Sequence, residues 1–119
     1  MVTFVDETTS GTRHEAWELA VAEERLALRE VIRRRVFQEV AEHNAGQGTA
    51  AFAGLVRPED PASRRVDAER QFEQAVRAFG RNGFLVLVGD RQMEELDEEI
   101  ELALGTEVTF LKLVPLVGG

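Results

Sequence analysis

Phe84-Leu85-Val86-Leu87-Val88, closed by Gly89-Asp90-Arg91, is the stretch on which the reading of the whole chain turns. Five consecutive apolar residues read as a central strand. Asn82-Gly83 signals a turn ahead of it and Gly89-Asp90-Arg91 turns the chain behind it. Working outward toward the N-terminus, Phe72, Ala75, Val76 and Phe79 mark the buried face of an amphipathic helix over about 65–80, and Gly80 suits its end. Residues 46–64, with Pro58 and Pro61, form a loop. Before the loop, Leu28, Val31, Ile32, Val36 and Val40 recur at helical spacing, which predicts a longer helix from about Leu26 to Asn44. Glu23 and Glu24 lie near its start, where the helix dipole favours negative charge, and Gly46 and Gly48 can stop it. Arg33, Arg34 and Arg35 interrupt the apolar pattern and read chiefly as a solvated face. Further out, Trp17, Leu19 and Val21 alternate with Glu18 and Ala20, a strand period over about 14–22. Val2 to Val5 is a second short strand, and Thr8 to Thr12 has the composition of the turn joining the two into a hairpin.

Toward the C-terminus, the acidic stretch Glu94 to Glu101 places Met93, Leu96 and Ile100 on apolar positions. Gly105 marks a turn. A final strand is expected over Glu107 to Val114, with Val108 and Phe110 on one face and Thr109, Leu111 and Leu113 on the other. Pro115 ends its pairing. Phe4, Trp17, Leu19, Leu28, Ile32, Val36, Val86, Val108 and Phe110 are the expected core.

The chain has 119 residues, enough for one domain with a real core. It contains no cysteine, which excludes disulfides, thiol catalysis and cysteine-ligated metal. The formal charge of -8 opposes nucleic acid and suits a partner with a basic docking surface. The basic side chains are nearly all arginine, and Lys112 is the one lysine. The N-terminal residues show no basic segment followed by an apolar run, and no apolar stretch approaches the roughly 20 residues that cross a bilayer. A cytoplasmic protein is the expectation.

Conventional catalytic and metal signals are weak. His14 and His43 lack a third ligand at recognisable spacing. The carboxylates from Glu94 to Glu101 lack the glycine-turn loop of a calcium site and read as a solvated acidic face. Ser10 and Ser63 have no base motif nearby, and there is no glycine-rich phosphate loop. Trp17 and the phenylalanines read as core.

Hairpin, long helix, strand, short irregular segment and final strand is the chain order of the β-grasp fold. Leu26-Ala27-Leu28-Arg29-Glu30-Val31-Ile32 resembles the helix-start segment of the small sulfur carriers of the ThiS/MoaD type. Leu85-Val86-Leu87-Val88-Gly89-Asp90-Arg91 looks like their third strand and its turn, and Gly105-Thr106-Glu107-Val108 like the entry to their last strand. Val114-Pro115-Leu116-Val117-Gly118-Gly119 is similar to their Pro-Pro-Val-x-Gly-Gly tail. The resemblance covers about 1–45 and 83–119. Val114 stands where one tail proline is usual, and Ala27 where a threonine is usual.

The resemblance implies an α+β, ubiquitin-like β-grasp fold: a mixed sheet of four to five strands, one long helix, and a single domain over 1–119 carrying an inserted loop and helix at about 46–82. It also implies that the chain is a carrier rather than an enzyme. A separate E1-like enzyme would use ATP to adenylate the carboxylate of Gly119, which would then carry sulfur as a thiocarboxylate to a downstream acceptor. No cofactor would be bound, since ATP is used by the partner. A protein modifier conjugated to a target through Gly119, and an interaction module without terminal chemistry, are the alternatives. Gly118 would give clearance in a narrow cleft, where a Cβ would clash. Pro115, Leu116 and Val117 would position the tail. Neither nucleic acid nor membrane is an expected partner, and no metal site is expected.

Overall fold

A computed structural model describes residues 2–8, 13–45, 55–56, 66–102 and 106–113, with the backbone alone at 13–17 and 19. In chain order the elements are β1 (Val2–Thr8), β2 (Arg13–Leu19), β3 (Arg25–Ala27), α1 (Leu28–Ala45), α2 (Ala68–Gly80), β4 (Phe84–Val88), β5 (Arg91–Met93), β6 (Glu99–Glu101) and β7 (Glu107–Lys112). The fold is α+β, with a mixed sheet and two helices. Two compact units divide the chain: Met1–Leu28 with Asn82–Gly119, and Arg29–Arg81.

The first unit is built on a five-stranded sheet in the order β2-β1-β7-β4-β5. β1 and β2 pair antiparallel, with an irregularity between Phe4 and Val5 that leaves Ala16 without an opposite number. Such a bulge bends its strand and increases the local twist. β7 runs parallel to β1, with Phe4 opposite Val108 and Asp6 opposite Phe110. It runs antiparallel to β4, with Val86 opposite Phe110. The last residues of the described chain thus form the middle strand, hydrogen-bonded on both sides.

Alternation gives one face of this sheet Phe4, Phe84, Val86, Met93, Val108 and Phe110, all buried. The Phe4 and Phe110 rings meet edge to face at 5.5 Å, and Phe84 lies tilted against Phe110 at 6.3 Å. This geometry suits aromatic quadrupoles better than a face-to-face stack. The β4–β5 connection is a two-residue loop, since Val88 pairs with Arg91. Gly89 adopts φ 61° at its first position, as a type II′ hairpin turn demands.

A two-stranded sheet pairs β3 with β6, Leu26 opposite Ile100. Leu28 N–H donating to Glu98 O and Leu102 N–H donating to Glu24 O extend it. The periodicity places the start of the long helix at about Leu26, but Arg25–Ala27 is strand. Three residues are too few for a period to show, and only pairing with a segment more than seventy residues away reveals them.

The second unit contains α2 and all of α1 after its first residue, Leu28. Val31, Ile32, Val36 and Val40 are buried at the expected helical spacing, as is Leu28 at the helix start. Asp67 caps α2, its carboxylate accepting from the N–H groups of Glu69 at 2.9 Å and Arg70 at 3.3 Å. On α2 the fully buried positions are Gln71 and Ala75, while Phe72, Val76 and Phe79 are half-buried. The apolar stripe expected from the sequence is therefore shifted around the helix toward Gln71. Of the expected core residues, Trp17 and Leu19 have side chains outside the described set; the others are buried.

Candidate functional site

The candidate site is the end of β7 and the tail beyond it. Pro115, Leu116, Val117, Gly118 and Gly119 lie outside the described residues. What is described is the strand that delivers the chain toward them. Thr3 N–H donates to Thr106 O at 3.0 Å at the entry of β7, and Gly89 N–H to Glu107 O at 3.3 Å. At the exit, Leu113 N–H donates to Gly83 O at 3.5 Å. Lys112 sits opposite Phe84 on one side and Thr8 on the other. Its ammonium lies 3.9 Å from the Asp6 carboxylate, and its side chain is 35% exposed. A strand paired on both sides fixes where the following residues start, because the backbone at Lys112 is held from two directions.

The arginine run on α1 does not behave as one solvated face. Arg33 donates to Glu69 at 2.5 Å, and its guanidinium lies 4.4 Å over the Phe37 ring and 5.2 Å from the Phe72 ring centre. The Glu69 hydrogen bond raises the Arg33 pKa above its ordinary value, so this group stays charged at any working pH. Arg34 pairs with Glu30 at 3.4 Å. Arg35 is 1% exposed and makes a two-pronged contact to Glu39, at 3.2 and 3.4 Å.

Glu39 also accepts from Leu55 N–H at 3.4 Å. Asn44 forms a reciprocal pair with the backbone of Val66, donating to its carbonyl at 3.0 Å and accepting from its N–H at 3.1 Å. Gln71 donates to Val56 O at 3.0 Å. Three polar side chains on the helices thus replace the backbone partners that Leu55, Val56 and Val66 would otherwise need. Sequence reasoning missed them. The signal for Arg35 was present, since it falls three and four residues after Ile32 and Val31, on the apolar stripe, with Glu39 one helical turn later.

Among the described residues no group of three or more His, Asp or Glu side chains is placed to hold a metal ion. The carboxylates between Glu94 and Glu101 are exposed except for a half-buried Glu98, which pairs with Arg91; Glu101 pairs with Arg25 at 3.1 Å. No described helix is long and apolar enough to cross a membrane. Comparison with family models, with curated proteins and with solved structures yields no match.

Proposed function

We propose that this chain is a ubiquitin-like β-grasp carrier whose terminal glycine carboxylate is activated by a separate E1-like enzyme and then carries sulfur. The supporting observation is the sheet: a hairpin, then a last strand lying in the middle of the order β2-β1-β7-β4-β5 and parallel to β1. That arrangement agrees with the chain order of the β-grasp fold, and in the sequence Pro115 to Gly119 come shortly after that strand.

The chemistry follows from the carboxylate. A carboxylate is a poor electrophile, and attack on the α-phosphate of ATP expels pyrophosphate and leaves an acyl adenylate. A sulfur donor then displaces AMP to give the thiocarboxylate. Ordering each tail residue in a cleft costs about 1–2 kcal/mol. The folded body must therefore supply docking contacts while the enzyme supplies the reacting groups.

Intact mass of the protein purified from its own host under non-reducing conditions tests both halves of the reading. It reports whether the chain ends at Gly119, and whether one oxygen is replaced by sulfur. Adding a residue after Gly119, deleting Gly119, or changing Gly118→Val should leave the fold intact. Each should lower ATP–pyrophosphate exchange with the cognate enzyme by about a hundredfold or more, since displacements near 1 Å already cost that much. Equal exchange by the extended and truncated proteins would sink the proposal.

A further inference from the structure

The chain holds two asparagines, and their surroundings differ in what decides the chemical lifetime of a side-chain amide. Asn44 lies in α1 and is followed by Ala45. Both ends of its amide are occupied, donating to Val66 O at 3.0 Å and accepting from Val66 N–H at 3.1 Å. Asn82 is exposed, and so is Gly83 after it. Neither the Asn82 side chain nor the peptide unit joining it to Gly83 makes a hydrogen bond to any described residue. Asn82 sits in the left-handed region at φ 58°, between the end of α2 and the start of β4, so rotation there breaks neither element. Gly83 has no Cβ to hinder the approach of its nitrogen to the neighbouring side chain.

Gly83 is also tied to the sheet. Its carbonyl accepts from Leu113 N–H at 3.5 Å, and Phe84 next to it pairs with Lys112. Whatever moves Gly83 therefore acts on the chain where it leaves β7.

We propose that Asn82-Gly83 is a site of non-enzymatic succinimide formation, whose isoaspartyl product frees Leu113 from Gly83 and loosens the exit of β7. This holds whether or not Gly119 is activated. The Gly83 nitrogen attacks Cγ of Asn82 and closes a five-membered ring. The bond from Cγ to the amide nitrogen breaks, and that nitrogen leaves as ammonia with the proton that the Gly83 nitrogen gives up. Water then opens the ring at either carbonyl. Opening at Cγ restores the original main chain and leaves aspartate. Opening at the backbone carbonyl leaves Gly83 joined through Cγ, with one extra methylene in the main chain and a free carboxylate on Cα. The added methylene stands immediately ahead of Gly83, so the carbonyl that holds Leu113 is displaced. An isoaspartyl carboxylate on an exposed turn is also a substrate for enzymes that esterify such groups with S-adenosylmethionine.

The test is incubation of the full chain in mildly alkaline buffer made with heavy-oxygen water, followed over time by peptide mass mapping. Trypsin cleaving after Arg81 and Arg91 isolates residues 82–91. That peptide should gain the mass of an amide turned into a carboxylate, with one oxygen taken from solvent. An isoaspartyl-specific carboxyl methyltransferase, used as a reagent, should label it. Asn82 should convert at least about tenfold faster than Asn44, whose two amide hydrogen bonds must open first. Gly83 does not share the positive φ of Gly89, so Gly83→Ala should fold normally, and its methyl group should slow conversion several-fold. Asn82→Asp adds the charge without lengthening the main chain and should leave the Leu113 amide NMR signal in place. The isoaspartyl chain should instead show a shifted, faster-exchanging Leu113 amide. Conversion of Asn44 as fast as Asn82, conversion unchanged by Gly83→Ala, aspartate as the sole product, or an unshifted Leu113 amide in the isoaspartyl chain would each overturn the proposal. So would an Asn82 that stays intact over the time in which a synthetic 82–91 peptide converts.

Discussion

Arg35 and Glu39 show how a single pair of residues sets the cost structure of a helix. A guanidinium at 1% exposure is tolerable only because its donors are taken up, and no buried side-chain nitrogen or oxygen among the described residues lacks a partner. Removing one member of such a pair costs more than the pair contributes, because the other charge stays in a low-dielectric site. Glu39→Ala should therefore destabilise the protein by about 3 kcal/mol, read as a lower urea midpoint at unchanged slope. It also takes the acceptor from Leu55 N–H. The double change Arg35→Met with Glu39→Leu should recover most of that loss, since apolar replacement of a buried pair is often neutral. A double mutant as unstable as Glu39→Ala would show that the other partners of Arg35 matter more than Glu39. Lys112 illustrates the opposite case. Its contact to Asp6 is long and partly exposed, and such pairs contribute little.

The elements are bounded by local chemistry that differs from one end to the next. Asp67 supplies the N-cap of α2, and at the other end Arg81 N–H donates back to the carbonyls of Arg77 and Ala78, at 3.1 Å each. Asn82 then adopts φ 58°, the left-handed conformation that asparagine tolerates better than most residues, and redirects the chain into β4. Asp67→Ala should cost about 1 kcal/mol in chemical denaturation, and Asp67→Asn only a small part of it. Equal losses in the two variants would point to the charge at the helix start rather than the cap hydrogen bonds as the dominant effect. The short strands β3 and β6 gain what order they have from pairing rather than propensity, since Arg25-Leu26-Ala27 and Glu99-Ile100-Glu101 are not strong β-formers.

At the scale of the molecule, stability should be graded by position in the sheet. β7 and β1 lie inside it and are bonded on both sides, as is β4, whereas β2 and β5 are its edge strands among the described residues. Native-state hydrogen exchange should find the slowest amides in β1, β4 and β7, with β2, β5 and the β3–β6 pair opening at lower free energy. Protection of β2 equal to that of β7 would mean that the sheet opens as one cooperative block. Acidic and basic residues are also apportioned unevenly along the chain, -10 in one unit and +2 in the other. The sign of the whole, -8, conceals this and so understates how strongly the sheet unit should respond to ionic strength.

Much of the element list was legible from residue order. The run Phe84 to Val88, the stripe Leu28-Val31-Ile32-Val36-Val40, and the hairpin pattern before them each carry their own period, and the period is a local property that a chain shows without folding. Absence of cysteine, the single lysine and the glycine tail are likewise matters of sequence alone. Strand neighbours are not. Nothing near Glu107 says that β7 lies between β1 and β4, parallel to one and antiparallel to the other, because that choice is made by pairings across about 25 to 100 residues. The helical period puts Arg35 on the apolar stripe after Val31 and Ile32, but it does not say what a buried guanidinium there would bond. The tertiary structure settles that: Glu39 takes both Arg35, one turn before it, and the N–H of Leu55, while Arg33 and Arg34 stay half-buried and paired with Glu69 and Glu30.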